Sequence, residues 1–273
     1  MREGPTITAL IIARDEAANL PACLDALDWV DERVIVVDAA CQDETEAIAK
    51  RRAEVVIVRT FDTFARQRNA GLARVGGDWV FSIDADERSS PEQAAEIRRR
   101  ILTAPESIAA FRVPIVSEIL GRPFRFSGTQ LDRPVRLFRP KRGRWTGHVH
   151  ETVELDGEVD RSPIGVPLRH QSLPDLSTFL RKLDVYTTLE AAKRIDAGTR
   201  LKPGDLALRP AWTFLKLYLY RQGFRDGFEG FAYCLLSGLS VFVRNAKHRA
   251  LLKDCPALSE ERSACPSSGG LLS

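Results

Sequence analysis

The run Trp79-Val80-Phe81-Ser82-Ile83-Asp84-Ala85-Asp86-Glu87 decides how the rest of the sequence is read. An apolar, strand-like segment gives way to two carboxylates one residue apart. On an extended chain residues two apart share a face, so Asp84 and Asp86 are expected to point at one place in space. Oxygen ligands of this kind hold hard divalent cations, and Mg²⁺ or Mn²⁺ commonly joins one or two carboxylates to a diphosphate. Acidic residues also end many strands with no ion bound, so the pair draws its meaning from its surroundings.

Working outward toward the N-terminus, residues 6–13 form a short apolar run suited to a buried parallel strand, followed at once by Arg14-Asp15-Glu16. Asn19 to Asp28 reads as a helix with Leu20, Cys23, Leu24 and Leu27 on one face. A second strand, Arg33 to Val37, ends in Asp38. A helix over residues 44–52, a strand over 55–58 and a helix over 64–74 then lead through Gly76-Gly77 to the acidic strand. This alternation predicts an α/β fold, with a mostly parallel sheet covered by helices on both faces. Ligands of such sheets sit beyond the carboxyl ends of the strands, where Asp15, Glu16, Asp38, Asp84 and Asp86 all fall. No Gly-x-Gly-x-x-Gly follows the first strand and no Gly-x-x-x-x-Gly-Lys-Ser/Thr occurs, which disfavours a dinucleotide fold or an NTPase phosphate loop. A nucleotide would be gripped by carboxylates, a metal and basic or polar side chains such as Arg66, Gln67, Arg68 and Asn69. The alternative for those four is a solvated polar face.

Composition narrows the class. The chain has 273 residues, 44% hydrophobic and 28% charged, the proportions of a globular protein with a full core. A net charge of +3 gives no reason to expect nucleic-acid binding. The five cysteines are odd in number and scattered, which fits reduced thiols rather than a disulfide frame or a zinc site. Glu3 and Pro5 precede the first strand, unlike a signal peptide, and no apolar run reaches the roughly 20 residues of a spanning helix. The expectation is a protein kept inside the cell.

Taken together, Asp15-Glu16, the run Trp29-Val30-Asp31-Glu32 leading to Val36-Val37-Asp38, then Asp43 and Thr45, Gln67-Arg68-Asn69, and Asp78-Trp79 through Asp84-Ala85-Asp86-Glu87 resemble family 2 glycosyltransferases with a GT-A fold. Arg136-Leu137-Phe138-Arg139, Gly147-His148-Val149-His150-Glu151, and Gly223-Phe224-Arg225-Asp226-Gly227 with Gly230-Phe231 resemble the branch of lipopolysaccharide core β-1,4-glucosyltransferases. The resemblance spans roughly residues 6–250. It implies a Rossmann-like nucleotide-binding half and a UDP-sugar donor, with glucose as the sugar. Asp15, Glu16 and Asp38 would hold the uridine, and Arg68 would lie near the diphosphate. Asp84 would contact ribose or sugar, and Asp86 would bind the Mg²⁺ or Mn²⁺ that stabilises departing UDP. Two departures stand out. Asp15-Glu16-Ala17 replaces the family's usual Asn-Glu-Glu, and Asp38-Ala39-Ala40-Cys41-Gln42-Asp43-Glu44-Thr45 replaces Asp-Ser-Gly-Ser-Thr-Asp-Gly-Thr.

Inverting transfer needs a carboxylate to take the acceptor's hydroxyl proton. The broader family points to Asp132; Glu151, following His148 and His150, is the rival. His150 is a candidate to complete the metal's coordination, against a loop-shaping role for both His150 and Glu151. One strand is expected from about Ile108 to Val116, then a loop from Gly121 to Asp132 bordering the acceptor. Val153 to Val159 reads as a hairpin turning on Asp156-Gly157. Leu168 to Ser172 ends a further strand, with His170 either a metal or phosphate contact or a structural histidine.

The last part of the chain changes character. Leu176 to Ala197 reads as a long amphipathic helix, Pro203 as a break, and the aromatic run 211–221 and apolar run 231–243 as helices closed by Arg244, Lys247, His248, Arg249 and Lys253. Such helices suit either a membrane interface rich in anionic lipid or packing on the catalytic domain. Residues 1–175 are therefore expected to form the catalytic domain, 176–254 a helical extension and 255–273 a disordered tail. The acceptor implied is a lipopolysaccharide inner-core or other lipid-linked glycan, and the location the inner face of the cytoplasmic membrane. A nucleotidyltransferase would also use paired aspartates, but Arg14-Asp15-Glu16-Ala17 is not its glycine-rich triphosphate loop. A non-catalytic glycan-binding relative is the third reading.

Overall fold

Strand β1 (Ile7–Ala13) has six of its seven residues buried, as a strand covered on both faces must. A computed structural model describes residues 4–129, 132–147, 151–173, 175–202 and 204–254. Beyond β1 the chain runs α1 (Leu20–Asp25), β2 (Glu32–Asp38), α2 (Thr45–Arg52), β3 (Val55–Arg59), α3 (Phe64–Leu72) and β4 (Trp79–Ser82). There follow β5 (Glu87–Arg88), α4 (Pro91–Leu102), β6 (Ile108–Arg112), β7 (Ile115–Ile119), β8 (Arg122–Pro123), β9 (Val135–Phe138), β10 (Gly143–Thr146), β11 (Thr152–Leu155), β12 (Glu158–Val159) and β13 (Leu168–Leu173). The helices α5 (Leu176–Asp196), α6 (Leu208–Leu215) and α7 (Gly227–Asp254) complete the described chain.

The main sheet has seven strands in the order β12-β6-β9-β4-β1-β2-β3. Strands β1, β2, β3 and β4 pair in parallel, and antiparallel β9 is inserted between β4 and β6. The fold is thus the expected α/β arrangement, a mostly parallel sheet flanked by helices with a helical C-terminal region. Local chemistry supports the helix starts. The Thr63 hydroxyl accepts the Arg66 N–H at the start of α3, and Ser90 accepts that of Gln93 at the start of α4. Trp79, Phe81 and Phe111 fill one face of the sheet together with α1 and α4 side chains such as Leu24 and Ile97. Val80, Phe138 and Trp145 pack on the other.

Two expectations about strands change. The strand expected over 108–116 is two strands, because Pro114 has no N–H to extend the β6 ladder. The Val113 N–H instead reaches the Pro134 carbonyl, and β7 joins the smaller sheet beside β13. Residues 153–159 are not a hairpin. Strand β11 pairs with β10, whereas β12 pairs in parallel with β6 in the main sheet. Gly157 has φ +135°, and a Cβ there would lie 2.8 Å from the Ala109 Cβ. The Asp-Gly step passes the chain close under β6 from one sheet to another, a task that also calls for glycine.

The described residues divide into two compact units, one within 4–118 and 129–172, the other within 119–128 and 173–254. In the second unit α5 and α6 both pack on α7. Asp175 caps α5 by accepting the Thr178 N–H at 2.7 Å. The Gly223-Phe224-Arg225-Asp226-Gly227 segment is a structural pin here. The buried Asp226 carboxylate accepts the N–H groups of Arg125 and Phe126 and the Ser127 hydroxyl at 3.1–3.2 Å. Among the described residues no helix is long and apolar enough to cross a membrane. Pro203 and the expected tail at 255–273 lie outside the described residues.

Candidate active site

The carboxyl ends of β1, β2 and β4, with the start of α3, enclose a cavity of about 560 Å³ in the first unit. Its walls include Arg14, Glu16 and Asp38 at one end, and Arg68, Asp84, Asp86, Glu151 and His170 at the other. Parallel register explains the gathering, since β1 is flanked by β2 and β4 and the chain leaves all three on the same side.

Asp38, the last residue of β2, is 2% exposed. Its carboxylate accepts the Ala40 N–H at 3.0 Å, the Phe61 N–H at 3.3 Å and Arg14 Nη1 at 3.2 Å. The Ala40 hydrogen bond, ahead of those from Phe61 and Arg14, holds this carboxyl below the usual range even against burial. Glu16 faces the cavity. Asp15 does not line it: with φ at +54° it turns toward the altered loop and accepts the Gln42 N–H at 2.7 Å. Asp43 closes the same loop by accepting the Ala17 N–H at 2.9 Å and the Thr45 N–H at 2.9 Å.

Extended backbone stops at Ser82, and Ala85-Asp86 is a turn, so the alternation of faces assumed for Asp84 and Asp86 does not apply. The two carboxylates still reach one cavity, but with different company. Asp84 lies between two guanidinium groups, 2.7 Å from Arg68 Nη2 and 2.9 Å from Arg136 Nη2. Burial would raise its pKa, but Arg136 and then Arg68 outweigh that and hold it well below the carboxylate range. Asp86 instead meets His170, with Oδ2 3.1 Å from Nε2. Strand β13 delivers this histidine by pairing antiparallel with β5, which sets His170 opposite Glu87. The Ser172 hydroxyl, 3.0 Å from Nδ1, fixes the ring from behind. Chiefly through its hydrogen bond to Asp86, His170 has its pKa raised.

Arg68 was expected beside a diphosphate. It is 5% exposed and engaged with Ser82 Oγ at 2.9 Å, Asp84 and Glu151 Oε1 at 3.3 Å, so it organises carboxylates from the wall of the cavity. Of its neighbours on α3, Gln67 also lines the cavity, Arg66 pairs with Asp62, and Asn69 brackets the backbone of Trp145. A second cavity of about 350 Å³ shares Arg68, Asp84 and Glu151 with the first and is also lined by Arg112, Asp132, Arg136 and Trp145. Glu151 therefore borders both spaces and Asp132 only the second. His150 and His148 lie outside the described residues.

Two buried members of the site received no role from sequence. Glu87 is 1% exposed; its carboxylate accepts the Asp84 N–H at 2.8 Å and Arg136 Nη2 at 2.8 Å. Burial pushes this carboxyl up to about 7 against the pull of Arg136. Arg136 ties Glu87 to Asp84. The one available signal was a third acid beside the Asp84/Asp86 pair and an arginine within an apolar run.

Two donors to a cation adjoin here: an Asp86 oxygen and a His170 nitrogen face the cavity side by side, the carboxylate being the ligand type that suits Mg²⁺ or Mn²⁺ and the imidazole a ligand of other first-row metals. Asp84 has both oxygens committed to arginine.

The cavity lies beyond the carboxyl ends of the parallel strands, where ligands of open α/β sheets bind. The chain belongs to glycosyl transferase family 2: the family model matches residues 8–152, more than half of the sequence. An uncharacterised glycosyltransferase of Rickettsia prowazekii is 28% identical over 257 residues, covering 90% of this chain and 87% of that protein. The lipopolysaccharide core biosynthesis glycosyltransferase LpsC of Rhizobium meliloti is 27% identical over 266 residues, covering 94% and 97%. Among solved structures, glucosyl-3-phosphoglycerate synthase from Mycobacterium tuberculosis, in complex with Mn²⁺, UDP and glucosyl-3-phosphoglycerate, is 23% identical with a TM-score of 0.35, covering 42% of this chain and 45% of that one.

Proposed function

We propose that this glycosyltransferase is an inverting, metal-assisted hexosyltransferase that moves glucose from UDP-glucose to a lipopolysaccharide inner-core or other lipid-linked glycan. The observation that carries the reading is the pair of adjoining cavities sharing Arg68, Asp84 and Glu151. The larger takes the donor. Uridine lies toward Asp38 and Glu16, and the diphosphate toward Asp86 and His170, which hold the cation. When bound, that cation offsets the charge collecting on the leaving diphosphate. The smaller cavity takes the acceptor. Its hydroxyl gives its proton to a carboxylate as the oxygen bonds to the anomeric carbon, and the bond from that carbon to the phosphate oxygen breaks with UDP leaving. Bordering both cavities favours Glu151 as the base over Asp132. The LpsC likeness supports a lipopolysaccharide-type acceptor.

The catalytic domain is the first unit, and the helical unit is the membrane-facing part of a peripheral protein on the inner face of the cytoplasmic membrane. Among the described residues, every exposed large hydrophobic except Val58, Phe61, Phe64 and Leu102 belongs to the helical unit. Leu208, Trp212, Leu215 and Leu219 recur at helical spacing. Residues 119–128 and 173–254 carry sixteen Lys and Arg against eight Asp and Glu, a balance that favours anionic lipid.

The test is release of UDP from a panel of UDP-sugars with Mn²⁺ or Mg²⁺, with Asp86→Ala beside the wild type. Turnover of one donor, dependent on the cation and lost in the variant, supports the proposal and names the sugar. Turnover of none, with binding of none, removes it.

A further inference from the structure

Two aromatic rings stand exposed on the wall of the larger cavity. Phe61, two residues beyond β3, is 38% exposed, and Phe64, the first residue of α3, is 47% exposed. Among the described residues of the first unit they are the only exposed aromatic side chains. Both line the cavity together with Ile12, Ala13 and Asp38. Their centroids lie 5.0 Å apart with planes at 71°, so one ring buttresses the other by its edge. The pair is also fixed to the site by its backbone: the Phe61 N–H binds the Asp38 carboxylate, and Thr63 caps the helix that Phe64 opens.

Half-exposed aromatic rings beside Asp38, in a cavity whose far end sets Arg68 and the adjoining Asp86 and His170 donors, suit a two-ended ligand with a planar face and a tail that a cation can join to Asp86. A nucleoside diphosphate has that form. We infer that Phe61 and Phe64 form a stacking wall for the nucleobase of the donor; the inference rests on the nucleotide-sugar reading of this cavity and adds the residues that grip its base. With the planes so inclined, one ring lies against the base and the other supports it. Stacking tolerates any base, because every base has a π-face. The wall therefore supplies affinity, while the choice among bases falls to polar groups such as Asp38.

The test is calorimetric titration of the whole chain, in Mn²⁺, with UDP, CDP, ADP, GDP and inorganic pyrophosphate. Phe61→Ala and Phe64→Ala are compared with Phe64→Leu, which keeps apolar bulk without a π-face, and with Phe64→Tyr, which keeps the ring. Loss of one base stack is expected to weaken UDP binding about ten-fold or more. Pyrophosphate binding should be unchanged, the order of preference among bases retained, and Phe64→Tyr close to wild type. Wild-type affinity for UDP in both alanine variants, or in Phe64→Leu and Phe61→Ala together, overturns the wall. So does an equal loss of pyrophosphate affinity. A wild type that prefers another nucleoside diphosphate removes the uridine reading alone, and the same variants then test the wall on that nucleotide. A wild type that binds pyrophosphate but no nucleoside diphosphate any more tightly overturns the wall directly.

Discussion

Arg136 is the residue on which the acidic turn depends. Its guanidinium is the shared partner of Asp84 and Glu87, and it is itself only 13% exposed. Truncating one member of a buried ionic network leaves the others uncompensated, at a typical cost of about 3–5 kcal/mol. Arg136→Ala should therefore lower the free energy of unfolding, read from urea titration at pH 7, by that amount, whereas a value within error of wild type would show that Arg136 has no such role. Asp43 allows a cleaner test by pH. Burial opposes its ionisation, yet hydrogen bonds from Thr45 and Ala17 bring the pKa down to about 2, below the 3.8 of an unperturbed aspartate. The unfolded chain thus binds the proton more readily. Asp43 contributes stability in full above about pH 4 and loses it as pH falls through 2. The stability gap between wild type and Asp43→Asn should be constant from pH 5 to 7 and close on further acidification, as followed by denaturant titration at each pH. A gap that widened toward pH 2 would contradict this.

At the scale of elements, the junction between the Gly223–Asp226 turn and α7 shows how little room a motif can leave. A Cβ on Gly230 would sit 2.1 Å from the Gly223 carbonyl oxygen and 2.8 Å from the Asp226 Cβ. Both neighbours are themselves fixed, Asp226 by its bonds to residues 125–127. Gly230→Ala should cost about 1–3 kcal/mol, read as a lowered melting temperature. The same substitution at exposed Ala250 of α7, made as Ala250→Gly, should cost at most about 1 kcal/mol and separates the clash from helix propensity. Strand β13 makes the complementary point. It contributes no acid to the site, but its register against β5 is what sets His170 beside Asp86.

For the molecule as a whole, the contrast lies between an acidic cavity in one unit and exposed apolar helices with a basic balance in the other. If the helical unit meets anionic lipid, the chain should sediment with vesicles containing phosphatidylglycerol and not with purely zwitterionic ones, and salt should weaken the binding. Trp212→Glu combined with Leu219→Glu should abolish sedimentation while leaving release of UDP from soluble donor intact. Retained binding in the double variant would show that this stripe is not the contact.

What the sequence by itself determined is the alternating pattern of short apolar runs and helices, because burial of a parallel sheet on both faces is written locally, residue by residue. It also determined that acids end those strands, and residues such as Asp38 and Glu16 do face the cavity. Only the tertiary structure decided what each acid meets. His170 lies 84 positions from Asp86, and Arg136 lies 52 from Asp84 and 49 from Glu87. No periodicity encodes such pairs, since they follow from strand order and register. The same holds for Asp156-Gly157, whose local chemistry reads as a hairpin turn. The pull of two separate sheets on β11 and β12 outweighed that local preference, and the glycine served close passage under β6 instead.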